Sequence, residues 1–236
     1  MLRGLAVAMI AAVLLAAPAS AEPGSAATCR DDAMIVFDAS GSMAGTDLSV
    51  SPVAPRIAKV KTALAKALPG IAAARNLGLI DYGPGPYNRC DNIELQLEPT
   101  PHAAGHIMSI VDALVPAGRT PLTSAVREAA RVLRFPAKPG VIVLLTDGEE
   151  TCGGDPCALA RELNAGGSHL TVHVIGYRAP DFSEGFGMLQ ARCLADATGG
   201  LYISVQTTDE LVAALEKTLG CPIVSRSARL EAIRAR

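Results

Sequence analysis

Five oxygen-bearing side chains carry the chemistry that this chain could do. Asp38, Ser40 and Ser42 take alternate positions in Asp38-Ala39-Ser40-Gly41-Ser42, where the apolar run Met34-Ile35-Val36-Phe37 ends. Thr120 opens Thr120-Pro121-Leu122 far downstream, and Asp147 closes a second apolar run, Val141 to Thr146, ahead of Gly148. Hydroxyls and carboxylates gathered at the ends of buried strands are what a hard divalent cation takes. Mg²⁺ binds about six oxygens, dehydrates reluctantly and keeps several of its waters. A donor set rich in hydroxyls and poor in carboxylates leaves such an ion electron-poor, and so receptive to an acidic group from outside.

Other chemistries fit these residues less well. A phosphatase of the haloacid dehalogenase type needs a second Asp where Ser40 stands. A serine hydrolase needs Gly-x-Ser-x-Gly at a strand-to-helix turn, a frame that Ser40 and Ser42 lack. The Gly-x-x-x-x-Gly-Lys-Ser/Thr loop of a nucleotide-binding site is absent from the sequence. His102 and His106 have the spacing of a zinc-protease helix without its Glu, and they read as surface residues. His169 and His173 share one face of a strand and read as packed or edge residues.

The five positions resemble the metal-ion-dependent adhesion site of the von Willebrand factor type A (VWA) family, whose signature is Asp-x-Ser-x-Ser, a distant Thr and a distant Asp before Gly. The resemblance spans roughly Asp31 to Leu219. It implies a Rossmann-like, doubly wound α/β sandwich of three layers, with a six-stranded and mostly parallel sheet. It further implies that Ser40 and Ser42 bind Mg²⁺ (or Mn²⁺) directly, that Thr120 does so in one state and recedes in another, and that Asp38 and Asp147 act mainly through bridging waters. One coordination position stays open for an acidic side chain of a protein partner. The implied role is a non-enzymatic adhesion or assembly module. An accessory or maturation factor for a periplasmic enzyme complex is the alternative, and a metal-dependent hydrolase a more distant one. Glu149 and Glu150 follow Asp147; with Arg89 and Arg119 they are candidates for the partner-binding rim, against the plainer reading of solvated surface charge.

The elements that must position these residues alternate between strand and helix, as in a parallel sheet covered on both faces. The expected strands are Ala33 to Phe37, Leu77 to Tyr82, Ile93 to Glu98, Val141 to Thr146, Leu170 to Tyr177 and Leu201 to Val205. Ile93, Leu95 and Leu97 alternate with Glu94, Gln96 and Glu98, the pattern of a half-exposed antiparallel edge. The expected helices are Pro55 to Leu68, stopped by Pro69-Gly70, His106 to Leu114, one opened by Thr120-Pro121, Ala158 to Asn164 capped by Asp155-Pro156, Phe186 to Ala197, and Thr208 to Leu219. In open α/β sheets ligands bind beyond the carboxyl ends of the strands, near the reversal of strand order. Asp38 and Asp147 both stand at such ends.

Composition narrows the remaining classes. The chain has 236 residues, of which 50% are hydrophobic and 19% charged, enough for one domain with a sizeable core. A formal net charge of −2 lacks the basic footprint of a nucleic-acid binder, and 3% aromatic residues with no Trp argue against a stacking platform. Arg3, the apolar run Leu5 to Ala17 and Ala19-Ser20-Ala21 read as a signal peptide over residues 1–21. The domain is expected over 29–221 and a mostly basic tail over 222–236. After cleavage no stretch is long and apolar enough to remain in a bilayer, so a periplasmic or secreted product is expected.

The sequence has six cysteines, Cys29, Cys90, Cys152, Cys157, Cys193 and Cys221, all after the expected cleavage site. An even count in an exported chain favours disulfides. The resemblance implies that Cys29 and Cys221, at the two ends of the domain, can clamp together. Cys152 and Cys157 share a loop and could close a small ring or hold zinc, which would leave Cys90 for Cys193.

Overall fold

The computed structural model describes residues 31–46, 53–166, 169–177 and 186–220. The expected signal peptide, the expected tail and the Cys29–Cys221 bridge lie outside them. Six strands form one sheet: β1 (Ala33–Asp38), β2 (Leu77–Tyr82), β3 (Ile93–Thr100), β4 (Gly140–Thr146), β5 (Leu170–Tyr177) and β6 (Tyr202–Val205), in the order β3-β2-β1-β4-β5-β6. All neighbours run parallel except β2 and β3. Chain order therefore reverses at β1, which has β2 on one side and β4 on the other. A ligand crevice belongs beyond the carboxyl ends of those strands.

Strand β1 is apolar without interruption because both of its faces are covered. Ala33, Ile35 and Phe37 pack under α1 (Arg56–Ala72), α2 (Ala104–Ala113) and the last helix, α6 (Thr208–Leu219). Met34 and Val36 pack under α3 (Leu122–Val132), α4 (Pro156–Ala165) and α5 (Phe186–Thr198). These two apolar layers hold the sheet's upper rim in place. Burying one such side chain contributes about 1.5–3 kcal/mol, so each layer far outweighs any single polar contact at the rim.

Three expectations need correction. Helix α1 does not stop at Pro69-Gly70 but runs on to Ala72. A proline so near the helix end forfeits one backbone bond, and the burial of Leu68, Ile71 and Ala72 offsets that loss. Edge strand β3 does not keep strict alternation. Its register against β2 shifts between Leu79↔Leu97 and Ile80↔Leu95. That bulge leaves Leu95 exposed and brings Gln96 Nε2 within 3.1 Å of Asp81 Oδ1.

The third correction concerns the cysteines. Cys152 does not pair with Cys157, nor Cys90 with Cys193; the bridges are Cys90–Cys152 and Cys157–Cys193. Asp155 caps α4 by accepting from the Ala158 nitrogen at 2.9 Å, with Pro156 in the first turn. The cap places Cys157 on the helix, where it meets Cys193 of α5, and leaves Cys152 in the preceding loop, where it meets the β2–β3 loop.

Candidate metal centre

Asp38 is the last residue of β1 and is completely buried. Its Oδ1 accepts from the Ser40 backbone nitrogen at 2.9 Å, and its Oδ2 accepts from the Thr146 hydroxyl at 2.7 Å. The second bond exists because β1 and β4 are neighbours in register, with Phe37 opposite Leu145. On the other side, Asp38 stands opposite Tyr82 of β2. Burial, and then the charge of Asp38, holds the Tyr82 phenol well above its ordinary pKa, and so neutral.

Beyond Asp38 the chain curls through one 3-10 turn, Gly41–Ala44, anchored by buried Met43. The turn sets the Ser40 and Ser42 hydroxyls 3.0 Å apart. Ser42 Oγ then donates to Asp147 Oδ1 at 2.6 Å. Asp147 Oδ2 accepts from Arg56 Nη1 at 2.9 Å, with the Asp147 side chain fully shielded from solvent. Four of the five predicted residues thus form one chain of side-chain oxygens across two strand ends.

The backbone around this turn leaves no room for side chains at two glycines. Gly83 has φ +113°, and a Cβ there would lie 2.3 Å from the Ser40 nitrogen. Gly118 has φ +68°, and a Cβ there would lie 2.2 Å from the Gly83 oxygen. Gly41 donates its N–H to the Gly118 carbonyl at 3.2 Å, and Ala117 donates to the Ala39 carbonyl at 3.0 Å. These bonds draw the segment before α3 against the Ser40 loop, and Thr120 comes with it. The Thr120 side chain stands outside the hydrogen-bonded chain. Its position is set by its backbone, which donates to Thr151 Oγ1 at 2.8 Å and accepts from the Thr151 nitrogen at 3.1 Å.

The four rim candidates fall into different settings. Glu150 turns inward: its two oxygens accept from the Thr123 and Cys152 nitrogens at 2.9 and 2.8 Å, and so it fastens the start of α3 to the β4–α4 loop. Arg119 donates to the Thr151 carbonyl and serves the same junction. Arg89 is held by Asp91, with Nε to Oδ1 at 2.7 Å, on the exposed β2–β3 loop. Glu149 is exposed.

Sequence reasoning passed over Arg56 and Thr146. Thr146 reads as strand, although a hydroxyl ending an otherwise apolar run is a usable signal. For Arg56 the signal was a basic residue opening a helix whose first turn holds no acid, against the preference of the helix dipole.

Electrostatically, two buried carboxylates meet one guanidinium. Burial, and then the charge of Asp147, raises the Asp38 pKa to about 6, although hydrogen bonds from Ser40 and Thr146 favour the anion. The excess of negative charge favours a cation. Among the described residues no group of three or more His, Cys, Asp or Glu is placed to hold a metal ion; the oxygens gathered here are hydroxyls with a carboxylate pair. Such an all-oxygen set fits a hard divalent ion and is a poor match for zinc.

Residues 33–150 match the family model described as von Willebrand factor type A domain. The chain is 32% identical over 208 residues to the uncharacterized protein YwmD of Bacillus subtilis, covering 84% of this chain and 89% of that protein. It is 38% identical over 107 residues to YwmC of the same organism, covering 44% of each. An aerotolerance-related membrane protein from Bacteroides fragilis superposes with a TM-score of 0.59 at 22% identity, over 80% of this chain and 98% of that one. The manganese-loaded TRAP protein of Plasmodium vivax superposes with a TM-score of 0.54 at 20% identity, over 80% of this chain and 73% of that one. These two likenesses establish the fold.

Proposed function

The chain belongs to the von Willebrand factor type A domain family, and from that premise we propose that it is an exported, non-enzymatic protein-binding module that captures an acidic side chain through a bound Mg²⁺ or Mn²⁺. The observation that carries the reading is the chain of oxygens from Asp38 through Ser40 and Ser42 to Asp147. It lies where strand order reverses, and its two carboxylates exceed the neighbouring positive charge.

Ser40 and Ser42 would contribute hydroxyl oxygens to the ion, Thr120 a third, and Asp38 and Asp147 negative charge. The ion supplies an electron-poor centre able to accept a partner's carboxylate oxygen. The protein's own work is orientation. Asp38 holds the Ser40 backbone, and Asp147 holds the Ser42 hydroxyl, so the donors are set before any ligand arrives. A charge-assisted contact in a sheltered site can dominate a small interface. The manganese in the TRAP neighbour supports a divalent ion on this fold. The Cys90–Cys152 and Cys157–Cys193 bridges support an oxidising compartment outside the cytoplasm. Among the described residues no helix is long and apolar enough to cross a membrane.

The test is calorimetry of Mg²⁺ and Mn²⁺ uptake, followed by binding of an immobilised acidic peptide with ion or with chelator. One ion per chain and chelator-sensitive peptide binding are expected, both lost in the Ser40→Ala, Ser42→Ala double variant. Absence of ion uptake by folded protein would refute the reading.

A further inference from the structure

Arg56 stands at the edge of the oxygen chain. It is the first residue of α1, and it is built in rather than draped over the surface. The Thr46–Pro55 bridge and the bond from the Arg56 nitrogen to the Gly45 carbonyl at 2.9 Å fix its backbone beside the 3-10 turn. A Cβ at Gly45 would lie 3.6 Å from the guanidinium carbon, so the guanidinium lies close above that residue. Its Nη1 reaches Asp147 Oδ2 at 2.9 Å, on the oxygen that Ser42 does not use. The Arg56 side chain is 23% exposed and Asp147 fully shielded, so the pair is only partly screened by solvent. A cation in the first turn of a helix opposes the dipole, and Asp147 compensates for that placement.

We propose that Arg56 sets the affinity of this site for divalent cations, because its guanidinium and the ion draw on the same carboxylate. The inference rests on the metal-dependent reading above. Arg56 lowers ion affinity by repulsion and by occupying Asp147 Oδ2. It also balances the buried charge of Asp147 when ion is withdrawn. Its effect is therefore opposite in sign on ion uptake and on stability in chelator, a pairing that a purely structural arginine would not produce.

The experiment compares wild type, Arg56→Met and Arg56→Lys by Mg²⁺ and Mn²⁺ calorimetry and by thermal unfolding in chelator and in saturating ion. Arg127→Gln, which removes an exposed pair between Arg127 of α3 and Glu162 of α4, controls for net charge. Arg56→Met should bind the ion about tenfold more tightly, unfold at a lower temperature in chelator, and gain more from added ion than wild type does. Arg56→Lys, which keeps the charge, should bind close to wild type and shows whether the position tolerates substitution. Equal or weaker ion binding by Arg56→Met, with wild type binding normally, overturns the role of Arg56 and leaves the metal site standing. Uptake by neither protein overturns both.

Discussion

Ser42 and Asp147 are separated by 105 positions in the chain and joined by a 2.6 Å hydrogen bond. The bond spans the two strands at which the sheet reverses order, and it fixes the 3-10 turn after β1 to the loop after β4. A hydroxyl held on a buried carboxylate is oriented in advance, so a cation arriving there has little local order left to impose.

Replacing Ser42 by Ala removes that bond together with the contact to Ser40. Calorimetry should show Mg²⁺ affinity reduced at least about tenfold, a loss of about 1.4 kcal/mol. Thermal unfolding should show a cost of about 1 kcal/mol, as for one net hydrogen bond.

Gly83 and Gly105 should respond to alanine in opposite directions. A Cβ at Gly83 meets the Ser40 backbone and imposes a side chain on a φ of +113°. Gly83→Ala should destabilise by more than about 1 kcal/mol and weaken ion uptake, because the Ser40 loop must shift. At Gly105, in α2, a Cβ meets nothing within 4 Å. Gly105→Ala should stabilise by about 0.5–1 kcal/mol, the helix-propensity difference, and leave ion affinity unchanged. Denaturant titration with calorimetry checks both.

The Cys90–Cys152 bridge closes a separation of 62 residues and ties the β2–β3 loop to the loop that carries Glu150. Cys90→Ser, Cys152→Ser should lower stability by about 2–4 kcal/mol. Ion affinity should fall with it, since Gly83 and Glu150 brace the site from those loops. Unchanged affinity in the folded variant would show that the rim loops do not support the donors.

His173 predicts a pH dependence away from the oxygen cluster. Burial, and then the nearby charge of Arg75, lowers its pKa from 6.5 to about 4. Its Nδ1 accepts the Leu201 N–H at 2.9 Å, a bond lost on protonation of that nitrogen. The unfolded chain takes up this proton below about 6.5 and the folded one only near 4, so the unfolded state holds more protons in between. Stability from this group is therefore complete above pH 6.5 and declines as pH falls toward 4, by about 2 kcal/mol after allowance for partial exposure. His173→Asn keeps an acceptor without the titration. The difference between the two unfolding curves across that window isolates the effect.

The layered fold was legible from residue order because strand burial leaves a direct mark. Continuous apolar runs produced β1 and β4, and the Asp155-Pro156 pair marked the start of α4. The cluster of Asp38, Ser40, Ser42 and Asp147 was legible too, since strand ends in this topology converge. What residue order could not convey depends on direction in space. Arg56 reaches Asp147 across 91 positions, and no local pattern says where a long side chain points. Cys152 and Cys157 are neighbours in the chain, yet the cap at Asp155 turns them toward different partners. Glu150 looked like a solvated acid until two backbone nitrogens claimed its oxygens. Periodicity and motif spacing record which residues are buried and which stand at strand ends. Pairing among polar groups is decided by distances of a few ångströms between segments remote in sequence, and only the packed chain sets those.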